Sequence, residues 1–258
     1  MFDEIDILKH HGKQYIPDVT KVNLPVYYKI GLPVISTEKI DEKLLLDAEN
    51  ACPTDAFKAF PTSIDLGKCV FCNQCQKICG EKKVKFTTDY RIATNTRDAL
   101  IIKEGDKNPL SIDQNIVREE IKRLFGRSLK LRQVSAGGDN SNEWELNAAG
   151  NPNFDMGRFG IDFTASPRHS DGVVITGPIT VNMAEALQIC YDAVPNPKIL
   201  VLVGTDAISG GIFEGSPALD RSFLDKYKVD LYVPGNPIHP LTFVNGILDL
   251  IKSSEIVK

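Results

Sequence analysis

Five of the six cysteines fall between positions 52 and 79. Cys69, Cys72 and Cys75 are separated by two residues each, Cys79 follows after three more, and a Cys52-Pro53 pair stands upstream. Thiolates are the usual ligands of iron–sulfur clusters, and three on one tight loop can each reach a different iron of a single cube. A fourth ligand must then come from Cys52 or from Cys79. Four thiolates also suit tetrahedral zinc, although structural zinc sites usually bring them as two separated Cys-x2-Cys pairs. A disulfide framework would fit only a small secreted chain. Cys190 sits with Ala186, Leu187 and Ala193 on the apolar face of a predicted helix and reads as an inert core residue.

The 69/72/75/79 run has the spacing of a bacterial ferredoxin half, and Cys52-Pro53-Thr54-Asp55-Ala56-Phe57 resembles the tail of the other half, whose Cys-Pro serves its neighbour's cluster. Counting back from Cys52 with the same spacing reaches Glu42, Leu45 and Ala48 where an intact first half would carry cysteines. The resemblance therefore implies one 4Fe-4S cluster on Cys52, Cys69, Cys72 and Cys75, with Cys79 as a leftover thiol. Gly80 stands after Cys79 where the family has proline. A 69/72/75/79 set is the alternative.

Several elements must position these residues. Residues 1–45 carry Pro17, Pro25, Pro33 and short β-prone runs such as Val26-Tyr27-Tyr28, and read as an irregular arm or a small hairpin. Residues 46–105 form the cysteine module and end in the strand-like Ala99-Leu100-Ile101-Ile102, before a polar break at 104–109. Ile112, Ile116, Val117, Ile121 and Leu124 recur at helical spacing, so 111–126 is predicted as an amphipathic helix within a 106–128 linker. From 129 onward, apolar runs at 129–134, 172–176, 199–203 and 229–233 alternate with helix-length segments, notably 181–193 after Pro178 and 241–252 after Pro240. That alternation predicts an α/β domain with a parallel sheet. Its functional crevice lies at the carboxyl ends of the strands, in loops 135–143, 177–180, 204–211 and 234–239.

Residues 129–252 resemble the small subunit of energy-converting, membrane-bound nickel-iron hydrogenases and the related cluster-bearing subunit of respiratory complex I. The likeness rests on Val134-Ser135-Ala136-Gly137, Arg158-Phe159-Gly160-Ile161, Ser166-Pro167-Arg168-His169-Ser170-Asp171, Thr176-Gly177-Pro178, Ala207-Ile208-Ser209-Gly210-Gly211 and Pro234-Gly235. It implies a flavodoxin-like parallel sheet with helices on both faces, fused to a small ferredoxin-like α+β module. The family's small subunit holds a proximal 4Fe-4S cluster on four cysteines; at the matching positions stand Asp139, Asn142, Asp206 and Asn236. Amides and carboxylates are poor ligands for such cubes, so no second cluster is expected. Asp139, Asn142, Glu143, Asp206 and Asn236 could instead hold a hard cation, or fill the space with hydrogen bonds. The resemblance places Arg168 and His169 near that pocket, as partner contacts or a proton path.

The combined expectation is an electron-transfer subunit of a hydrogenase-related or complex-I-related membrane complex, with no catalytic residue of its own. Its implied partners are a large subunit, membrane subunits, and ferredoxin or another iron–sulfur protein as donor. The alternative is a structural adapter in such a complex. A net charge of -4 and a pI of about 5.6 argue against nucleic acid or an anionic membrane surface as the main partner. No apolar stretch approaches a membrane span and the first residues lack signal-peptide character, which predicts a cytoplasmic chain held peripherally at the membrane by its partners.

Overall fold

The structure is a computed structural model and describes residues 2–12, 15–25, 28, 31–106, 110–125 and 128–251. Val26 and Tyr27, Lys107 to Pro109 of the polar break, and Lys252 lie outside that set.

The N-terminal arm is less irregular than its prolines suggest. It opens with helix α1 (Phe2–His11), and β1 (Pro33–Ile35) pairs antiparallel with β4 (Val84–Phe86). Between those strands come α2 (Glu42–Asn50), the hairpin β2 (Phe57–Lys58) and β3 (Ser63–Asp65), and α3 (Gln74–Cys79). Asp41 caps α2 by accepting the Lys43 N–H at 2.9 Å. The strand β5 (Ile101–Lys103) completes an antiparallel sheet in the order β2-β3-β5.

Of the helix expected over 111–126, the structure shows α4 (Glu119–Phe125) and no helix over 111–118, while Gly126 lies outside the described residues. The segment before α4 is captured by a side chain elsewhere in the molecule. The Asn95 amide accepts the Asp113 N–H and donates to the Asp113 carbonyl, both at 2.9 Å, while Asp113 accepts from Asn115 N–H. These bonds take up backbone groups that a helix would need.

The C-terminal half is a flavodoxin-like α/β domain. Its strands are β6 (Leu129–Ser135), β7 (Ile161–Phe163), β8 (Gly172–Thr176), β9 (Ile199–Val203) and β10 (Leu231–Val233), all parallel, in the order β10-β9-β8-β6-β7. Every residue of β8 and β9 is buried, as expected for central strands covered on both faces. Val174 and Val201 face a core shared with α5 (Ser141–Ala149) and α9 (Pro240–Ile251). Val173, Ile175 and Leu200 face the other core, which holds Leu187 and Tyr191 of α6 (Val181–Ala193). This second core runs without a break into Leu66, Phe71 and Leu100 of the N-terminal part. The short helices α7 (Thr205–Ser209) and α8 (Ser222–Lys226) follow β9.

Candidate functional site

Each cysteine of the expected ligand set is presented by a different local device. Cys52 closes the end of α2, its N–H donating to the Glu49 carbonyl at 3.1 Å. Cys69 ends a turn built on Asp65, whose carboxylate accepts the Gly67 N–H at 2.8 Å and both terminal nitrogens of Arg97 at 2.8 and 2.7 Å. Gly67 lies so close to the Arg97 guanidinium and the Ile208 side chain that a Cβ would come within 2.9 Å of each. The chain then reverses through Phe71 and Asn73, both at positive φ (53° and 60°), which swings Cys72 and Cys75 toward Cys69. Asparagine tolerates that region; phenylalanine does so only when held by its surroundings. Phe71 is held by an edge contact with Phe86, ring centroids 5.9 Å apart.

The outcome is one cavity of about 330 Å³, mouth included, lined by Cys52, Cys69, Cys72 and Cys75 together with apolar Ala56, Phe57, Ile64 and Phe86. Cys69 is buried, Cys72 is exposed, and Cys52 and Cys75 lie between. Burial pushes the Cys75 thiol up to about 12, with the other cysteines adding to the shift, and moves Cys69 in the same direction for the same reasons. Four thiolates cannot ionise together in an apolar hollow unless positive charge is bound among them. Two backbone donors already face the sulfurs: Phe71 N–H points to Cys69 Sγ at 3.3 Å, and Gln76 N–H to Cys75. Among the described residues, no group of three or more His, Cys, Asp or Glu is gathered closely enough to hold a single metal ion. Cys79 faces elsewhere, its thiol donating to the Leu44 carbonyl at 3.8 Å, and Cys190 is partly buried beside Arg132.

Of the residues that the resemblance sets in the family's ligand loops, Asp139, Asn142 and Glu143 are hydrogen-bonded within the protein, whereas Asp206 Oδ1 is buried without a partner. Asp139 accepts from the N–H and hydroxyl of Ser141 at 2.9 and 2.6 Å. Asn142 accepts the Ile238 N–H at 3.1 Å, and buried Glu143 accepts the Thr176 hydroxyl at 2.6 Å. Asp206 is buried, and burial raises its carboxyl, assisted by Asp139 and opposed by Arg221. Asn236 is half-buried in the loop after β10. These contacts describe a polar plug, and the three carboxylates do not assemble a cation site.

Arg168 and His169 are exposed in a turn at Pro167–His169, immediately before β8. The resemblance puts them beside the vacated pocket; the structure puts them at the amino end of a strand whose carboxyl end borders it. A five-residue strand separates the two places by about 16 Å.

Two residues with no motif to announce them organise the site. Thr205, fully buried, donates its hydroxyl to the Cys69 carbonyl at 2.7 Å and to the Gly235 carbonyl at 3.2 Å. Arg221 donates to the carbonyls of Pro178, Asp206, Ala207 and Ile208 at 2.9 to 3.2 Å, fastening the loops after β8 and β9 together. The cysteine loop thus rests on the carboxyl-end loops of the parallel sheet.

Residues 140–250, covering α5 through most of α9, match the family described as NADH ubiquinone oxidoreductase, 20 Kd subunit. A probable membrane-bound hydrogenase subunit, mbhJ, of Pyrococcus furiosus is 34% identical over 137 residues, which are 53% of this chain and 82% of that one. The chain belongs to this oxidoreductase 20 Kd subunit family. Another relative, a subunit of the NADH-quinone oxidoreductase of Heliobacterium modesticaldum, is 36% identical over 152 residues, 58% of this chain and 86% of the relative. A chain in the solved structure of a membrane-bound sulfane sulfur reductase, an archaeal respiratory membrane complex, is 28% identical with a TM-score of 0.45, covering 53% of this chain and 76% of that one. The family match begins after the cysteine module. No helix among the described residues is long and apolar enough to cross a membrane.

Proposed function

We propose that this chain is an electron-transfer subunit of a membrane-associated redox complex, and that Cys52, Cys69, Cys72 and Cys75 hold one 4Fe-4S cluster in a ferredoxin-like N-terminal module. The observation that carries the reading is the single apolar cavity lined by these four thiols. Such a cube supplies outer-sphere, one-electron chemistry and needs no acid, base or nucleophile from the protein. The chain's own part is to exclude water with Phe57, Ile64 and Phe86, to aim the N–H groups of Phe71 and Gln76 at sulfur, and to keep the loop on the sheet through Thr205. Its partners are a large subunit and membrane subunits of the kind named for its relatives, with ferredoxin or another iron–sulfur protein as donor, and it sits peripherally on the cytoplasmic face. Anaerobic purification with iron and sulfide analysis tests this: about four of each per chain, with an EPR signal on reduction, is expected. Colourless, iron-free protein under strict exclusion of air sinks it.

The polar plug at Asn142, Glu143 and Asp206 favours a second reading, in which the C-terminal half is a scaffold and the chain an adapter. A Cys72→Ser variant separates the two. Lost electron throughput with normal assembly of the complex supports the relay; lost assembly alone supports the adapter.

A further inference from the structure

Thr54 lines the cavity with the four cysteines and is only 6% exposed, yet its Oγ1 has no hydrogen-bond partner. Leaving a buried hydroxyl unpaired forfeits its desolvation energy, and native folds rarely tolerate it without a reason. The surroundings offer little. Pro53 has no N–H, the side chains of Ala56, Phe57, Ile64 and Phe86 carry no acceptor, and the amides of Asn73 and Gln74, which also line the cavity, make no hydrogen bond to the Thr54 hydroxyl. The turn that follows Cys52, in which Asp55 N–H reaches back to the Cys52 carbonyl at 3.5 Å and Asp55 itself takes φ 52°, fixes Thr54 against the cavity. What remains for the hydroxyl is whatever the cavity binds.

We propose that the Thr54 hydroxyl donates a hydrogen bond to a sulfur of the bound cluster and thereby holds its reduction potential up. This rests on the cluster assignment proposed above. Reduction places added negative charge on the sulfurs, and a donor aimed at them stabilises the reduced form more than the oxidised one. Thr54 is the one residue of this lining with a side-chain hydroxyl, and it stands two residues from Cys52. Phe71 and Gln76 act on Cys69 and Cys75 from the backbone, and no substitution can remove their N–H groups short of proline. The Thr54 contribution, by contrast, resides in a side chain and is adjustable.

The test is a potentiometric EPR titration of the whole chain, purified anaerobically, after its iron and sulfide have been counted. Thr54→Val keeps the shape and removes the hydroxyl; its reduction should be disfavoured about tenfold, which is 59 mV for a one-electron couple. Thr54→Ser should stay with the wild type. If the valine variant fails to load, Thr54→Ala against Thr54→Ser provides the same comparison with a smaller side chain. A fully loaded Thr54→Val or Thr54→Ala protein whose potential matches the wild type overturns the inference and leaves the cluster assignment standing. Wild-type protein without iron overturns the assignment, and this inference with it.

Discussion

The Thr205 hydroxyl and the Cys69 carbonyl meet at 2.7 Å, although 136 residues separate them in the chain. This bond joins the cysteine loop to the first turn after β9, next to Asp206, where the resemblance places one of the family's own cluster ligands. The thiol-lined cavity is therefore built against the carboxyl-end loops of the parallel sheet.

Breaking the contact tests its weight. Thr205→Val leaves the buried Cys69 carbonyl short of a donor and should lower stability by about 1 to 3 kcal/mol, read as a shift of the thermal or urea midpoint. Thr205→Ser should recover most of it. Equal losses in both variants would place the cost in packing and not in the hydrogen bond.

The ligand set makes a sharp comparison. Cys79 donates to the Leu44 carbonyl and stands outside the cavity wall. Cys79→Ala is expected to keep the wild-type iron and sulfide content, while Cys52→Ala should lose cluster iron on gel filtration. The reverse pattern would select the alternative 69/72/75/79 set.

His239 gives the fold a dependence on pH. It is packed among Tyr28, Tyr90 and Phe154, with ring centroids 4.9 to 6.3 Å away, and its Nδ1 accepts the Leu241 N–H at 3.1 Å. Burial lowers its pKa to about 4. The unfolded chain, with an ordinary histidine pKa of about 6.5, then binds more protons than the folded one across this window. The contribution is fully present above about pH 6.5 and is lost as pH falls through about 4. His239→Asn, which can still accept a hydrogen bond, should flatten the fall in urea stability between those values; an unchanged slope would assign the acid sensitivity to carboxylates instead.

Gly211 is confined by Asp206. It lies at φ +56°, and a Cβ there would stand within van der Waals overlap of Asp206 Oδ1. Gly211→Ala should cost about 1 to 3 kcal/mol through backbone strain, plus the clash. Adding Asp206→Ala to the same chain should return part of the loss, because the two residues share one space. Purely additive effects in the double-mutant cycle would contradict the contact.

Much of this molecule is legible before any coordinates exist. The apolar runs at 172–176 and 199–203 become β8 and β9 with the same bounds, and the segment after Pro178 becomes α6 over Val181–Ala193. Buried parallel strands and amphipathic helices announce themselves because their signal is periodic and local. The predicted helix over 111–126 is shorter because Asn95, distant in sequence, takes both backbone groups of Asp113. Arg168 and His169 lie away from the pocket because in a parallel sheet the residues before a strand stand at its opposite end from those after it.

By itself, then, the sequence determined that four thiols stand at a spacing suited to one cluster and that the second half is a parallel α/β sheet. Only the tertiary structure decided that Cys79 turns away while Cys52 turns in, that Thr205 clasps the cysteine loop, and that Thr54 presents an unpaired hydroxyl to the cavity. Residue type and spacing are properties of the covalent chain, whereas the direction in which a buried polar group points is set by neighbours that only folding brings within a few ångströms.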